Sequence, residues 1–305
     1  MADIQTEEGW FTISGAKLYT KTWKASTPKA ILVFIHGFSD HCNAYYDLFP
    51  SLARRGIQTY SFDQRGWGRS VHAPRDKGNS GGTTRILADI SAFIKALPPS
   101  PLPTFLMGHS MGGGEVLTYA ALGPADIRAG LRGYLVESPF IAFPAASKPS
   151  FITLKLGQLA GKILPHFQIE RKFPGASMCR DPEVGREWEA DPLCHNIGTL
   201  EGLGAMVDRA EELDSGKISI GGGAGEGEKT RLWVGHGTGD LVCDYKGSER
   251  LVERLSKSAA DVTLKLYDGW YHKLHAEPGE DKVTFANDVG NWILAHAGES
   301  VAVKL

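Results

Sequence analysis

The pentapeptide Gly108-His109-Ser110-Met111-Gly112 sets a serine between two glycines. An apolar run, residues 104–107, leads straight into it, and a helix-compatible stretch, residues 111–122, leads away. A sharp strand–turn–helix of this kind exposes a hydroxyl at the end of a strand, and small flanking residues are what so tight a turn admits. At the start of a helix the free N–H groups and the dipole favour negative charge, which suits a serine attacking a carbonyl.

A serine hydroxyl is a weak nucleophile at neutral pH. It needs a histidine to take its proton and a carboxylate to orient that histidine. When the serine lies on such a turn, these partners follow it in the order carboxylate, then histidine. Asp240 fits the first place, in the loop Gly235-His236-Gly237-Thr238-Gly239-Asp240 after the apolar residues 232–234. Asp244 is its competitor and is expected inside the next helix. His272 fits the second place, in Asp268-Gly269-Trp270-Tyr271-His272 after the last long strand pattern, with His275 and His236 as rivals. The tetrahedral intermediate also needs two N–H donors. The backbone N–H of Met111 is one. The N–H of Phe38, in His36-Gly37-Phe38-Ser39, is the other, with Ser39 the runner-up.

Those loops need a scaffold that brings them to one edge. Residues 11–23 read as a hairpin around Ser14-Gly15. Residues 30–35 are an apolar, β-branched run without alternation, residues 57–62, 104–107, 131–136, 232–234 and 262–267 read as further strands, and helical patterns such as 84–97 and 111–122 lie between most of them. This alternation predicts an α/β chain with a mostly parallel, doubly wound sheet. The rhythm breaks once: roughly ninety residues separate the run ending at Glu137 from the one starting at Leu232, more than a crossover needs. Residues 1–138 and 230–305 are therefore expected to form the core. Residues 139–229 form an inserted helical cap that returns through the flexible tether Gly221-Gly222-Gly223-Ala224-Gly225. Within it, residues 151–167 are apolar with two lysines. They read either as an amphipathic helix facing lipid or roofing an acyl tunnel, or as a helix packed on the core.

Composition narrows the function. The 305 residues carry a formal charge of −2 and are 42% hydrophobic. A core is affordable in area, but there is no basic excess for nucleic acid. The opening Met1-Ala2-Asp3-Ile4-Gln5-Thr6-Glu7-Glu8 is acidic and polar, so a cytosolic location is expected. The four cysteines, Cys42, Cys179, Cys194 and Cys243, match no zinc spacing and are expected as free thiols. The histidines show no H-E-x-x-H, so no metal and no organic cofactor is called for. Asp63-Gln64-Arg65-Gly66-Trp67-Gly68-Arg69-Ser70 reads as a structural turn held by Asp63 and Arg65. Cys243 either lines the site or is an ordinary buried thiol.

With these motifs, the chain resembles the monoacylglycerol lipases of the α/β-hydrolase superfamily, in a fungal-looking form. The resemblance rests on His36-Gly37-Phe38, on residues 63–70, on Gly108-His109-Ser110-Met111-Gly112-Gly113, on Asp191-Pro192-Leu193-Cys194, on Asp240-Leu241-Val242-Cys243-Asp244 and on Tyr271-His272-Lys273-Leu274-His275. It implies an esterase with the triad Ser110, Asp240 and His272, an oxyanion hole at Phe38 and Met111, and a lipid ester substrate whose acyl chain lies under the cap. It implies substrate contacts at His109 and at Cys243, the latter near the alcohol end, and peripheral attachment to membranes or lipid droplets. Mammalian members carry a glutamate and an arginine after the oxyanion loop, where this chain has Asp40 and Ala44. Rival readings are a lysophospholipase or carboxylesterase of the same fold, or a hydrolase-like binding protein without catalysis.

Overall fold

A computed structural model describes residues 4–148, 150–258 and 261–299; the side chains of Phe151, Ile152, Leu154, Lys155 and Gln158 lie outside the described residues, as do Met1-Ala2-Asp3. The elements in chain order are β1 (Thr6–Ile13), β2 (Ala16–Trp23), β3 (Ala30–Ile35), α1 (Leu48–Arg54), β4 (Ile57–Phe62), α2 (Thr83–Ala96), β5 (Thr104–His109), α3 (Met111–Leu122), α4 (Ala125–Arg128) and β6 (Leu131–Glu137). Then come α5 (Phe151–Ile163), β7 (Gln168–Glu170), α6 (Pro182–Ala190), β8 (Ile197–Thr199), α7 (Leu200–Ser215), β9 (Arg231–Gly237), α8 (Tyr245–Leu255), β10 (Asp261–Tyr267) and α9 (Asp281–Ala297).

Eight strands make one sheet in the order β1-β2-β4-β3-β5-β6-β9-β10. The β1–β2 hairpin joins antiparallel, β2 pairs antiparallel with β4, and every later pairing is parallel. This is the mostly parallel α/β sheet that the strand–helix rhythm predicts.

The apolar runs lack alternation because both faces are covered. Along the central strands Val33, Ile35, Leu106, Val136 and Val234 pack with Ile86, Ile90 and Phe93 of α2, Val116 and Leu117 of α3, and Leu251 and Leu255 of α8. The residues between them, Leu32, Phe34, Phe105, Met107, Leu135 and Trp233, pack on Leu48, Phe49 and Leu52 of α1 and on Phe285, Val289 and Ile293 of α9. Period-2 side-chain geometry thus sends neighbours to opposite layers. Each fully buried Leu, Ile or Phe is worth about 1.5–3 kcal/mol, so this core outweighs local propensity in fixing the strands.

The strands run slightly past their sequence-based ends: β5 takes in Gly108 and His109, β6 takes in Glu137, and β9 reaches Gly237. Polar residues there stay in register because their neighbours do, as in the His109–Glu137 and Glu137–Gly235 pairs. The return from residues 139–229 is not the loose tether expected. Tyr134 Oη donates to Ala224 O at 2.6 Å, Ala224 N donates to Thr230 Oγ1 at 2.8 Å, and Arg132 pairs with Glu226. Ile220 and Ala224 are buried, and a Cβ at Gly222 or Gly225 would meet backbone carbonyl oxygens within 2.8 Å, so these two glycines serve close packing.

Candidate active site

Ser110 sits between β5 and α3 with φ +55°, a conformation an L-residue holds only when its surroundings force it. The forcing contacts are visible. Ser110 N donates to Glu137 O at 3.0 Å, while Ser110 O accepts from Gly114 N and Phe140 N. A Cβ on Gly112 would collide with the carbonyl oxygens of Ile35 and His36. At Gly37 a Cβ would lie 3.2 Å from Ser110 Cβ and from His109 Nδ1, so the loop after β3 packs directly on the serine turn. Met111 opens α3, and its N–H is among the donors that a helix leaves free. Phe38 follows Gly37 in the packed loop. The two candidate oxyanion residues therefore flank the serine.

The loops after β9 and β10 meet beside it. His272 Nδ1 lies 2.8 Å from Asp240 Oδ2. A carboxylate acceptor there keeps the proton on Nδ1, which leaves Nε2 unprotonated and able to take a proton. The ligand-type atoms of Asp240, Cys243 and His272 lie within 4.8 Å of one another, and the Ser110 hydroxyl contacts the Cys243 thiol. Asp240 is tightly held: Oδ1 accepts from Val242 N at 2.7 Å and Cys243 N at 3.0 Å, and Oδ2 also accepts from His236 Nε2 at 3.2 Å. Burial opposes ionisation of Asp240, but the charge of His272 and the hydrogen bonds from both histidines outweigh it. Its carboxyl is held well below the usual carboxylate range.

The competitors have other partners. Asp244 is not inside α8 but caps it, accepting from Lys246 N at 3.0 Å. His275 Nδ1 bonds Glu137 Oε1 at 2.7 Å with both side chains fully buried. His236 supports Asp240 from behind, its Nδ1 facing Ser248 Oγ at 2.8 Å. Ser39 Oγ accepts from Asn196 N at 3.0 Å. Cys243 is buried, and burial followed by the nearby Asp240 charge pushes its thiol far up, so it is no thiolate. His109 is buried, and both ring nitrogens face protein groups, Tyr45 Oη at 3.2 Å and His272 O at 3.4 Å. In the turn after β4, Asp63 caps the N–H groups of Cys42 and Arg69, as expected, while Arg65 reaches away to Asp89 of α2.

Sequence reasoning did not find the ties between residues 139–229 and these loops. Trp188 Nε1 donates to Ser39 O at 2.8 Å, His41 Nε2 bonds Asp191 Oδ2 at 2.8 Å, and Lys273 N donates to Met178 O at 2.8 Å. Asp40 pairs with Lys273 at 3.4 Å, both buried, so the cation beside this acid comes from the base loop instead of position 44. The ligand-type atoms of His41, Asp191 and Cys194 cluster within 4.8 Å. They are arranged as a hydrogen-bonded latch: His41 Nδ1 accepts from Asn43 N, which keeps the proton on Nε2 toward Asp191, and burial pushes the Cys194 thiol far up.

A further tie is Arg209 of α7 to Glu115 of α3, 3.3 Å apart and both buried. Burial raises the Glu115 carboxyl from 4.5 to about 7, against the lowering pull of Arg209. The folded state keeps that proton where the unfolded chain releases it. The resulting stability is full below about 4.5 and is lost as pH rises through about 7. Thermal melts at pH 5 and pH 8 should therefore differ less in Glu115→Gln than in the wild type. An unchanged difference would show that Glu115 does not titrate in this window.

An eight-stranded sheet of this order, with a serine turn after β5 and a histidine–aspartate pair in the loops after β9 and β10, is the architecture of the α/β-hydrolase class of serine hydrolases. A family model described as serine aminopeptidase, S33, matches residues 26–279. A putative monoglyceride lipase of Schizosaccharomyces pombe is 33% identical over 95% of this chain and 74% of its own length. The chain belongs to that S33 hydrolase family and, within it, to the monoglyceride lipases. The monoacylglycerol lipase of Mycolicibacterium smegmatis is 29% identical over 97% of this chain and 99% of its own. Among solved structures, a soluble variant of Saccharomyces cerevisiae monoglyceride lipase in complex with a substrate analog superposes with TM-score 0.85 at 25% identity, over 96% of this chain and 97% of that one.

Proposed function

We propose that this chain hydrolyses the ester bond of monoacylglycerols, with Ser110 as nucleophile, His272 as general base and acid, and Asp240 as its orienter. The observation that carries the substrate class is an apolar cleft beside the oxyanion residues, lined by Phe38, Trp67 and Met111 of the core and by Leu203 and Met206 of α7. An acyl chain laid there puts its ester carbonyl at Ser110. His272 Nε2 takes the Ser110 proton as Oγ attacks. The backbone N–H groups of Phe38 and Met111 hold the oxyanion, and Asp240 stabilises the imidazolium. Glycerol leaves with the proton from His272. Water, deprotonated by His272 in turn, releases the fatty acid. The relatives named as monoglyceride lipases support this substrate over lysophospholipids or short esters.

Residues 139–229 act as the cap and residues 1–138 and 230–305 as the core. The cleft holds only about 10 Å³ of free space, so its lining has to open to admit a chain. Leu156, Leu159, Ile163, Leu164 and Phe167 are all more than half exposed along α5 and just after it, beside exposed Lys162. So large an apolar face disfavours the reading of α5 as a helix packed wholly on the core, and supports lipid contact. None of the described helices is long and apolar enough to cross a membrane; the exposed apolar face of α5 is what supports peripheral attachment as the mode proposed.

One experiment tests both readings. Fatty-acid release is measured from 2-oleoylglycerol in phosphatidylcholine vesicles, from a lysophospholipid and from a water-soluble short-chain ester. The monoacylglycerol should be preferred. The double variant Leu159→Asp, Ile163→Asp should lose about 10-fold on vesicles and little on the soluble ester. Preference for the short ester sinks the lipase reading, and equal loss on both substrates sinks the surface-binding one.

A further inference from the structure

Tyr45 has a hydroxyl with three neighbours, all buried. It accepts from Gly37 N at 3.2 Å, donates to Asp40 Oδ2 at 3.0 Å, and lies 3.2 Å from His109 Nδ1. Its ring is held by Phe34 at 4.4 Å and by His275 at 4.6 Å. On its far side His109 reaches His272 O at 3.4 Å, and a carbonyl acceptor requires the proton on Nε2. Burial, then the charges of His272, His275 and Lys273, hold His109 well below the usual histidine range, so it stays neutral and Nδ1 accepts. The one Tyr45 proton is thus shared between His109 and Asp40, and Asp40 is also served by Lys273 and His41 N. A continuous chain of polar contacts runs from the Gly37 N–H of the oxyanion loop, through Tyr45 and His109, to the His272 carbonyl of the base loop.

We propose that Tyr45 and His109 are positioning residues that fix the spacing between the oxyanion loop and the base loop. The Gly37 N–H sits one residue before the Phe38 donor, and the His272 carbonyl belongs to the base itself, so this chain grips both halves of the site at their nearest backbone atoms. Neither residue needs to touch the substrate. A hydroxyl that ties down a buried N–H cannot be removed without leaving that donor unpaired, and misplacement of catalytic groups by an ångström costs about 10²-fold in rate.

The inference rests on Ser110 being the nucleophile of the proposed triad, and stoichiometric titration by an active-site phosphonate of the wild type, but not of Ser110→Ala, tests that separately. With rates expressed per titrated serine, so that unfolded protein drops out, Tyr45→Phe should lower kcat about 10- to 100-fold and leave KM within about threefold. His109→Leu should do the same, while His109→Gln, whose amide can still donate to His272 O, should regain most of the loss. A kcat per titrated serine within twofold of wild type in Tyr45→Phe overturns the proposal. If that variant does not fold, equal rates for His109→Leu and His109→Gln overturn it instead.

Discussion

Ser110→Ala should abolish release of oleate from 2-oleoylglycerol, lowering kcat by about 10⁴- to 10⁶-fold while the protein stays folded. The large effect follows from the position of Oγ: no other hydroxyl stands on the turn between β5 and α3, and the neighbouring Cys243 thiol is kept protonated by burial and by the Asp240 charge. The methyl of alanine fits wherever the serine Cβ does, so the packing of Gly37 on this turn is preserved. The check is the initial rate beside phosphonate labelling and a thermal melt. A residual rate within 100-fold of wild type would mean that another group attacks the ester.

Asp240→Asn should cost nearly as much, about 10⁴-fold in kcat with KM little changed. Geometry dictates how the amide settles. Val242 N and Cys243 N both donate to Oδ1, so the amide oxygen is pinned there and the NH₂ must face His272 and His236. An N–H donor opposite His272 Nδ1 drives its proton to Nε2, the atom that has to accept from Ser110. The variant would hold the right shape with the wrong tautomer. A loss of less than 10-fold would point to Asp244 or another carboxylate as the orienter. Alanine at Asp240 is the poorer test, since it also frees two buried backbone donors and a buried histidine.

Much of this was legible before any coordinates. The apolar run at residues 30–35 marked a parallel strand because a two-sided burial erases alternation, and β3 is buried along its whole length between two parallel neighbours. The serine turn was legible because a tight bend leaves a local glycine signature. The candidate partners Asp240 and His272 could be ranked by their place after strands, and the structure brings them together. What stayed hidden has no local signature. Tyr45 looks like any aromatic residue until β3 and β5 set it against His109, and Glu115 looks like a helix-surface acid until α7 lays Arg209 over it. The slack inferred from the four glycines of residues 221–225 was wrong for a related reason, because the contacts that lace that loop come from Tyr134 and Arg132 on a strand far away in sequence.

The neighbour of β6 in the sheet is β9, more than ninety residues further along the chain. All seven residues of β6 are buried in the finished sheet, yet on a ribosome adding about 5–20 residues per second its outer edge waits roughly 5–20 s for its partner. During that interval an apolar strand with free N–H and C=O groups is open to pairing with another nascent chain. Ser110 has by then been made, while Asp240 and His272 have not. Vectorial synthesis therefore passes through a stage in which this chain is inert as a catalyst and carries an unpaired apolar strand edge, the edge a chaperone has to shield.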